Sequence, residues 1–258
     1  MDLGISGRKA IVCASSRGLG RACAMSLAEA GVDLVINGRD EQKLASTQKE
    51  LEKFGVTVTV VMADVSSAEG QAALFAACPA PDILVNNNGG PPFRDFREID
   101  REAMLAGVTM NMVTPLELIR ACVDGMGERG WGRIVNITSS SVVSPIPGLD
   151  LSSGARAGLT SFLAGVSRSV ASTGVTINQI MPGAFDTDRL QGGIRTTAER
   201  LGESYEDAAA KRAASIPAGR FGQPEEFGAA CAFLCSTHAS YITGQSLLID
   251  GGAVNKAF

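Results

Sequence analysis

The sequence predicts an α/β fold: a single domain, 1–258, built on a doubly wound, seven-stranded parallel sheet with helices on both faces. Two observations carry that expectation. Short apolar runs of strand length recur along the chain and alternate with segments of helical period, the order expected when each strand is followed by a crossover helix. The residues able to do chemistry begin where those runs stop, as they should if a ligand lies beyond the carboxyl ends of parallel strands.

The first strand is expected at 9–13 and runs into the turn Cys13-Ala14-Ser15-Ser16-Arg17-Gly18-Leu19-Gly20. Glycine permits positive φ and close backbone approach there. A helix at 19–30, stopped by Gly31, would point free N–H groups and the positive end of its dipole at an anion such as a dinucleotide pyrophosphate. Strands at 32–37, 56–62, 83–86, 133–137, 175–180 and 246–249 complete the sheet. Helices are expected at 41–54, 68–77, 101–125, 154–171 and 224–235, with Pro115 a point of potential interruption. The polar stretch 188–223 breaks the alternation: it holds Gly192-Gly193, charges from Arg195 to Arg212, and the turn Pro217-Ala218-Gly219-Arg220-Phe221-Gly222. It reads either as a solvated helical insertion or as a mobile lid over a substrate.

Composition removes several functional classes. The chain is 45% hydrophobic and 19% charged, with no apolar run near the roughly 18 residues of a membrane span, so a soluble protein is expected. A net charge of −4 gives no positive field for a nucleic-acid backbone. The first seven residues lack a basic region followed by an apolar stretch, which makes a cytoplasmic location the default. Cysteines at 13, 23, 78, 122, 231 and 235 are scattered on apolar faces and read as reduced thiols. Cys231 and Cys235 could share a helix face, but a zinc site needs two more ligands and His238 is the single histidine, so no metal is expected. That one late histidine also tells against a Ser-His-Asp hydrolase.

Taken together, the strings at the strand ends resemble the short-chain dehydrogenase/reductase family over essentially the whole chain. The glycine turn resembles TGxxxGxG, with Cys13 and Ala14 in place of its Thr and first Gly, and would hold the cofactor through Ala14, Ser16, Arg17, Gly18, Leu19 and Gly20. Asp64-Val65 matches the adenine-contacting pair, and Asn86-Asn87-Asn88-Gly89 matches NNAG, whose Asn87 and Gly89 line the cofactor. Asn111 stands at the family's catalytic Asn, and Asn136-Ile137-Thr138-Ser139 at the strand ending in its catalytic Ser. Pro182-Gly183-Ala184-Phe185-Asp186-Thr187 matches PGxxxT, implying cofactor contacts from Pro182, Gly183, Phe185 and Thr187. Ile242-Thr243-Gly244-Gln245 and Asp250-Gly251-Gly252 match the C-terminal signature. The resemblance implies a Rossmann fold, a small-molecule substrate, and a homotetramer assembled through 101–125 and 154–171.

Cofactor choice follows from charge. Sites of this type that prefer NAD place a carboxylate at the end of the second strand. Asn37 stands there, followed by Gly38 and Arg39. Arg39 and Arg17 could grip a 2′-phosphate that a carboxylate would repel, which favours NADP(H) over NAD(H). Asp40, next in the chain, works against this, and two solvated surface arginines are the plainer alternative.

One departure controls the functional reading. The family's catalytic Tyr lies thirteen residues after its Ser and four before a Lys. Counting on from Ser139 reaches Ser152, and then Arg156. The interval from Arg156 to Gly183 matches the family without a gap, which fixes the frame. A phenol of pKa about 10 can be tuned toward neutrality and exchange a proton with a reacting alkoxide, whereas a serine hydroxyl is a much weaker acid. Arg156 keeps the positive charge and, like the family's Lys, would also contact the cofactor, but a guanidinium does not serve as a base. Three readings remain open: an oxidoreductase in which Ser139, Ser152 and Arg156 polarise a carbonyl; a dinucleotide-binding protein whose catalysis has decayed; and a changed reaction on an anionic substrate. Tyr205 and Asp150 are candidate replacement proton donors, and Tyr241 reads as packing.

Overall fold

The computed structural model describes residues 1–256. Seven short strands are drawn from the apolar runs: β1 (Lys9–Val12), β2 (Asp33–Gly38), β3 (Val58–Met62), β4 (Ile83–Asn86), β5 (Gly132–Ile137), β6 (Val175–Pro182) and β7 (Ser246–Ile249). The central strands are buried along their whole length, as β4 and β5 show, because helices cover both faces and no alternation of polar residues is needed. All pairings are parallel and the order is β3-β2-β1-β4-β5-β6-β7. Strand order therefore reverses between β1 and β4, which opens a crevice at their carboxyl ends.

On one face, α1 (Gly18–Glu29), α2 (Glu41–Leu51) and α9 (Pro224–Cys235) pack with Val12, Ile36, Leu44 and Phe227 in a continuous core. On the other, α3 (Ala68–Ala77), α5 (Thr114–Glu128) and α6 (Asp150–Val170) bury Leu74, Leu118 and Leu159 against Ile11 and Leu84. Helix starts are capped where the sequence offers Asp or Ser: Asp40 accepts from Lys43 N and Ser67 from Gly70 N, and Asp100 accepts from Ala103 N at the start of α4 (Arg101–Val108). The start of α1 has no side-chain cap.

Two expectations are corrected. The 101–125 helix is broken before Pro115, by a π turn at Thr109–Val113 that separates α4 from α5. Proline has no N–H, so the carbonyl four residues back, that of Asn111, has no α-helical donor and the ladder widens there. The 154–171 helix starts at Asp150, which sets Ser152 and Arg156 on successive turns of one helix, α6. The 188–223 stretch contains α7 (Asp188–Leu201) and α8 (Tyr205–Ala214), folded over a small cluster of Ile194, Ala198 and Ala208. No helix among the described residues is long and apolar enough to cross a membrane.

Candidate active site

The turn after β1 is held by side chains from the neighbouring strands. Ser15 Oγ donates to Val12 O at 2.7 Å and accepts from Asn37 N at 3.0 Å. Asn37 Oδ1 accepts from Ala14 N at 3.3 Å, while its Nδ2 donates to Val61 O at 3.1 Å and Ala63 O at 3.0 Å. The Asn37 amide is thus spent on backbone groups: its side chain supports the turn, leaving Arg39 as the exposed cation at the end of β2. From the other side, Asn87 Nδ2 donates to Ala14 O at 3.1 Å. Ala14 is held at φ +44°, the single left-handed non-glycine residue among those described, and Gly18 follows at +57°. A Cβ on Gly20 would lie 2.4 Å from Ala14 O and 2.6 Å from Asn87 Nδ2, so a side chain there would destroy the cradle. Ser16 Oγ abuts Gly38, where a Cβ would come within 2.9 Å of it, and Leu19 packs on the core.

Arg17 opens α1 without a capping bond, and the first turn carries no acidic residue. Its free N–H groups and uncompensated positive end fit a pyrophosphate. Arg17 pairs with Asp188 at 3.7 Å and Arg39 with Asp64 at 3.8 Å, both on exposed side chains. Surface pairs of this kind are worth under about 1 kcal/mol, so an arriving phosphate can displace them. Val65 is buried, leaving Asp64 as the exposed member of the Asp-Val pair. After β4, Asn88 bridges Ser66 Oγ at 2.8 Å and Met110 O at 3.3 Å, and accepts from Gly89 N. After β6, which Pro182 ends, Gly183 N bonds Ile249 O at 2.8 Å. Phe185 turns its ring inward, edge-on to Phe227 at 5.3 Å, so only its backbone is left for a ligand, and Thr187 Oγ1 donates to Phe185 O.

Arg156 ties the reactive end together. Its guanidinium is buried, with Nε donating to Ser152 Oγ at 3.2 Å and Nη1 to Ile137 O at 2.6 Å and Thr138 O at 3.1 Å. These bonds fasten α6 to the end of β5, immediately before Ser139. Ser139 Oγ accepts from Ser141 N at 3.1 Å. Both hydroxyls therefore have an acceptor lone pair engaged, and neither donates to a protein group among the described residues, so each O–H is free to donate to a ligand oxygen. Burial, reinforced by the nearby charge of Arg189, pushes the Arg156 guanidinium down to about 10.

Beneath Arg156 lies a cavity of about 20 Å³ bordered by Asn86, Asn111 and Thr114, three residues with unpartnered buried oxygens. It has the size and lining for one water. Asn111, in the π turn, donates from Nδ2 to Gly107 O at 3.3 Å. On the outer side, Ser152 opens onto a chamber of about 210 Å³ between α4 and α6.

A family model described as Enoyl-(Acyl carrier protein) reductase matches residues 13–254. The chain belongs to the short-chain dehydrogenase/reductase family. Among its relatives, the NADPH-dependent reductase BacG of Bacillus subtilis is 31% identical, over 98% of this chain and 100% of that protein. The 3-oxoacyl-[acyl-carrier-protein] reductase FabG of Vibrio harveyi is 31% identical over 97% and 98%. A structure of L-sorbose reductase from Gluconobacter frateurii, complexed with NADPH and L-sorbose, superposes with a TM-score of 0.94 at 30% identity, over 99% of this chain and 100% of that one.

Among the described residues of this family member, no phenol or carboxyl hydrogen-bonds Ser152 or Arg156 or lines the spaces beside them. Tyr205 lies in α8 with Arg195 over its ring at 5.7 Å, Asp150 is exposed, and Tyr241 is fully exposed, not packed. Sequence reasoning missed Arg189. From the first turn of α7 it reaches Gly90 O at 3.5 Å and Pro91 O at 3.4 Å, clasping 188–223 onto the loop after β4. Only the excess of charge in that stretch hinted at it.

Proposed function

We propose that this protein is an NADP(H)-dependent oxidoreductase that transfers hydride between nicotinamide and a carbonyl or alcohol substrate from a site without the usual Tyr. The cradle of Ala14 to Gly20 takes the pyrophosphate at the start of α1, Arg17 and Arg39 take the 2′-phosphate, and Asp64 and Gly89 border the adenosine. Pro182, Gly183, Phe185 and Thr187 face the nicotinamide end through their backbone and small side chains. The bound dinucleotide supplies or removes the hydride.

The chain's own work is electrostatic. Ser139 and Ser152 donate to the substrate oxygen, and Arg156, held behind Ser152, stabilises the negative charge that grows on it. The observation that carries this reading is the pair of hydroxyls whose lone pairs are already engaged while their protons remain free. NADPH named with the relatives BacG and L-sorbose reductase supports the cofactor assignment. Solvent supplies the proton. Calorimetric titration with NADPH and NADH, followed by NADPH consumption over a carbonyl panel, tests the reading. Micromolar NADPH binding with slow turnover is expected; tight binding with no turnover on any carbonyl would favour a sensing or assembly protein. Exposed Val113 beside α5 and Phe162 on α6 support a homotetramer built on these helices, and a monomer in sedimentation would exclude it.

A further inference from the structure

The chamber outside Ser152 is a second feature of this site. It lies between α4 and α6, floored by the loop after β4, and its walls are hydrocarbon: Pro91, Pro92, Ile99, Ala103, Leu149 and Leu151 are representative. Its lining includes two polar residues, Ser152 and, at the exposed rim, Arg94. Ser152 has its lone pair on Arg156 and its proton free, so it presents a donor to a neutral oxygen. Arg94 is exposed, its backbone N–H bonds Gly148 O at 3.0 Å, and its guanidinium meets no carboxylate among the described residues. A largely apolar, partly open pocket with a few polar groups is the form of a small-molecule site. Here the polar groups specify a carbonyl oxygen at one point and an anion at another.

Volume sets the size of the occupant. An apolar cavity of about 150 Å³ binds benzene, and this chamber is about 210 Å³. Scaling benzene's six carbons by that ratio gives a body of about eight carbons. Ser152 borders this space with a small side chain. We propose that the chamber receives the body of the substrate, and that the substrate class is a medium-chain oxo acid: a chain of about eight carbons in all, with a ketone held at Ser152 and a carboxylate at Arg94. This rests on the oxidoreductase reading for what happens to the ketone, but the binding claim stands on the chamber alone.

The test is equilibrium binding to cofactor-free protein by titration calorimetry, with 7-oxooctanoate as probe and uncharged 2-octanone beside it. Wild-type protein is expected to bind both, the acid about fivefold more tightly. Arg94→Met should abolish that preference and leave 2-octanone unchanged, in keeping with an exposed charge pair. Ala103→Phe, which fills the chamber, should weaken both probes more than tenfold; Ala106→Leu is the milder filling variant, and NADPH affinity and melting temperature report that each variant is folded. Failure of wild-type protein to bind either probe, or equal binding by a folded filling variant, overturns the proposal. A protein that binds the acid through the chamber yet takes up no pyridine nucleotide overturns the oxidoreductase reading instead.

Discussion

Replacing Ser152 with Tyr returns a phenol to the helix position from which it is missing. The chamber of about 210 Å³ beside Ser152 gives the ring room without displacing backbone. Burying an aromatic side chain there contributes roughly 2 kcal/mol. Against this stands the loss of the 3.2 Å bond from Arg156 Nε to the serine hydroxyl, a charge-assisted interaction of about 2 kcal/mol. The two nearly cancel, so the variant should melt within a few degrees of the parent. Its chemistry should change far more. A positioned general acid contributes about 10²- to 10⁴-fold, or roughly 3–5 kcal/mol of barrier. We expect at least about a hundredfold gain in kcat on a small diketone such as 2,3-butanedione, which does not need the chamber, followed by NADPH absorbance. Adding Arg156→Lys should increase the gain by lowering the phenol's pKa. The new activity should fall as pH rises through the phenol's ionisation. If both variants bind NADPH normally and neither gains activity, proton supply is not what the site lacks, and the electrostatic account of catalysis is wrong.

Three further outcomes follow from the geometry. Gly20→Ala would force a Cβ to within 2.4 Å of Ala14 O, so it should cost about 1–3 kcal/mol of stability and weaken NADPH binding by tenfold or more, readable by calorimetry; unchanged affinity would place the pyrophosphate elsewhere. Arg17→Ala combined with Arg39→Ala should lower NADPH affinity about tenfold, or 1.4 kcal/mol, and leave NADH affinity unchanged; equal losses for both nucleotides would remove the 2′-phosphate assignment. A guanidinium loses its charge above its pKa, so kcat should decline as pH passes the value of about 10 to which Arg156 is pushed. Arg189→Met removes the like charge that helps to push it down, and the decline should move to higher pH in a kcat profile; a decline fixed at the same pH would show that Arg156 is not the titrating group.

The strands and most helices were legible because parallel buried strands must be apolar and their helices must carry a 3.6-residue stripe. Boundaries were legible less well. The break near Pro115 was visible, but its position was not: the missing N–H acts four residues upstream, so the π turn falls around Asn111. The helix expected from 154 begins at Asp150, where Leu151 packs against Gly107 of α4. The motif residues were found through the family resemblance. Their division of labour was not: Asn37 and Arg39 are two residues apart, but one amide is consumed by backbone groups of two strands while the other side chain meets solvent. Arg189 shows the limit most clearly. Its contacts, Gly90 and Pro91, lie about a hundred residues earlier, and no local pattern encodes that meeting. The chamber draws its walls from three separate stretches of chain, and of these the one that contains α4 carried no local sign of it.

Ala14 occupies a backbone conformation that costs an L-residue roughly 1–2 kcal/mol, and it does so under constraint from Asn37, Asn87 and the close approach of Gly20. That expense is met by folding and not by the guest. A dinucleotide arriving at this turn finds the walls already standing, so encounter need not wait for rearrangement. The rate of uptake should then track diffusion and charge, and amide exchange at Ala14 and Ser15, whose N–H groups are bonded to Asn37, should be slow before any nucleotide is added.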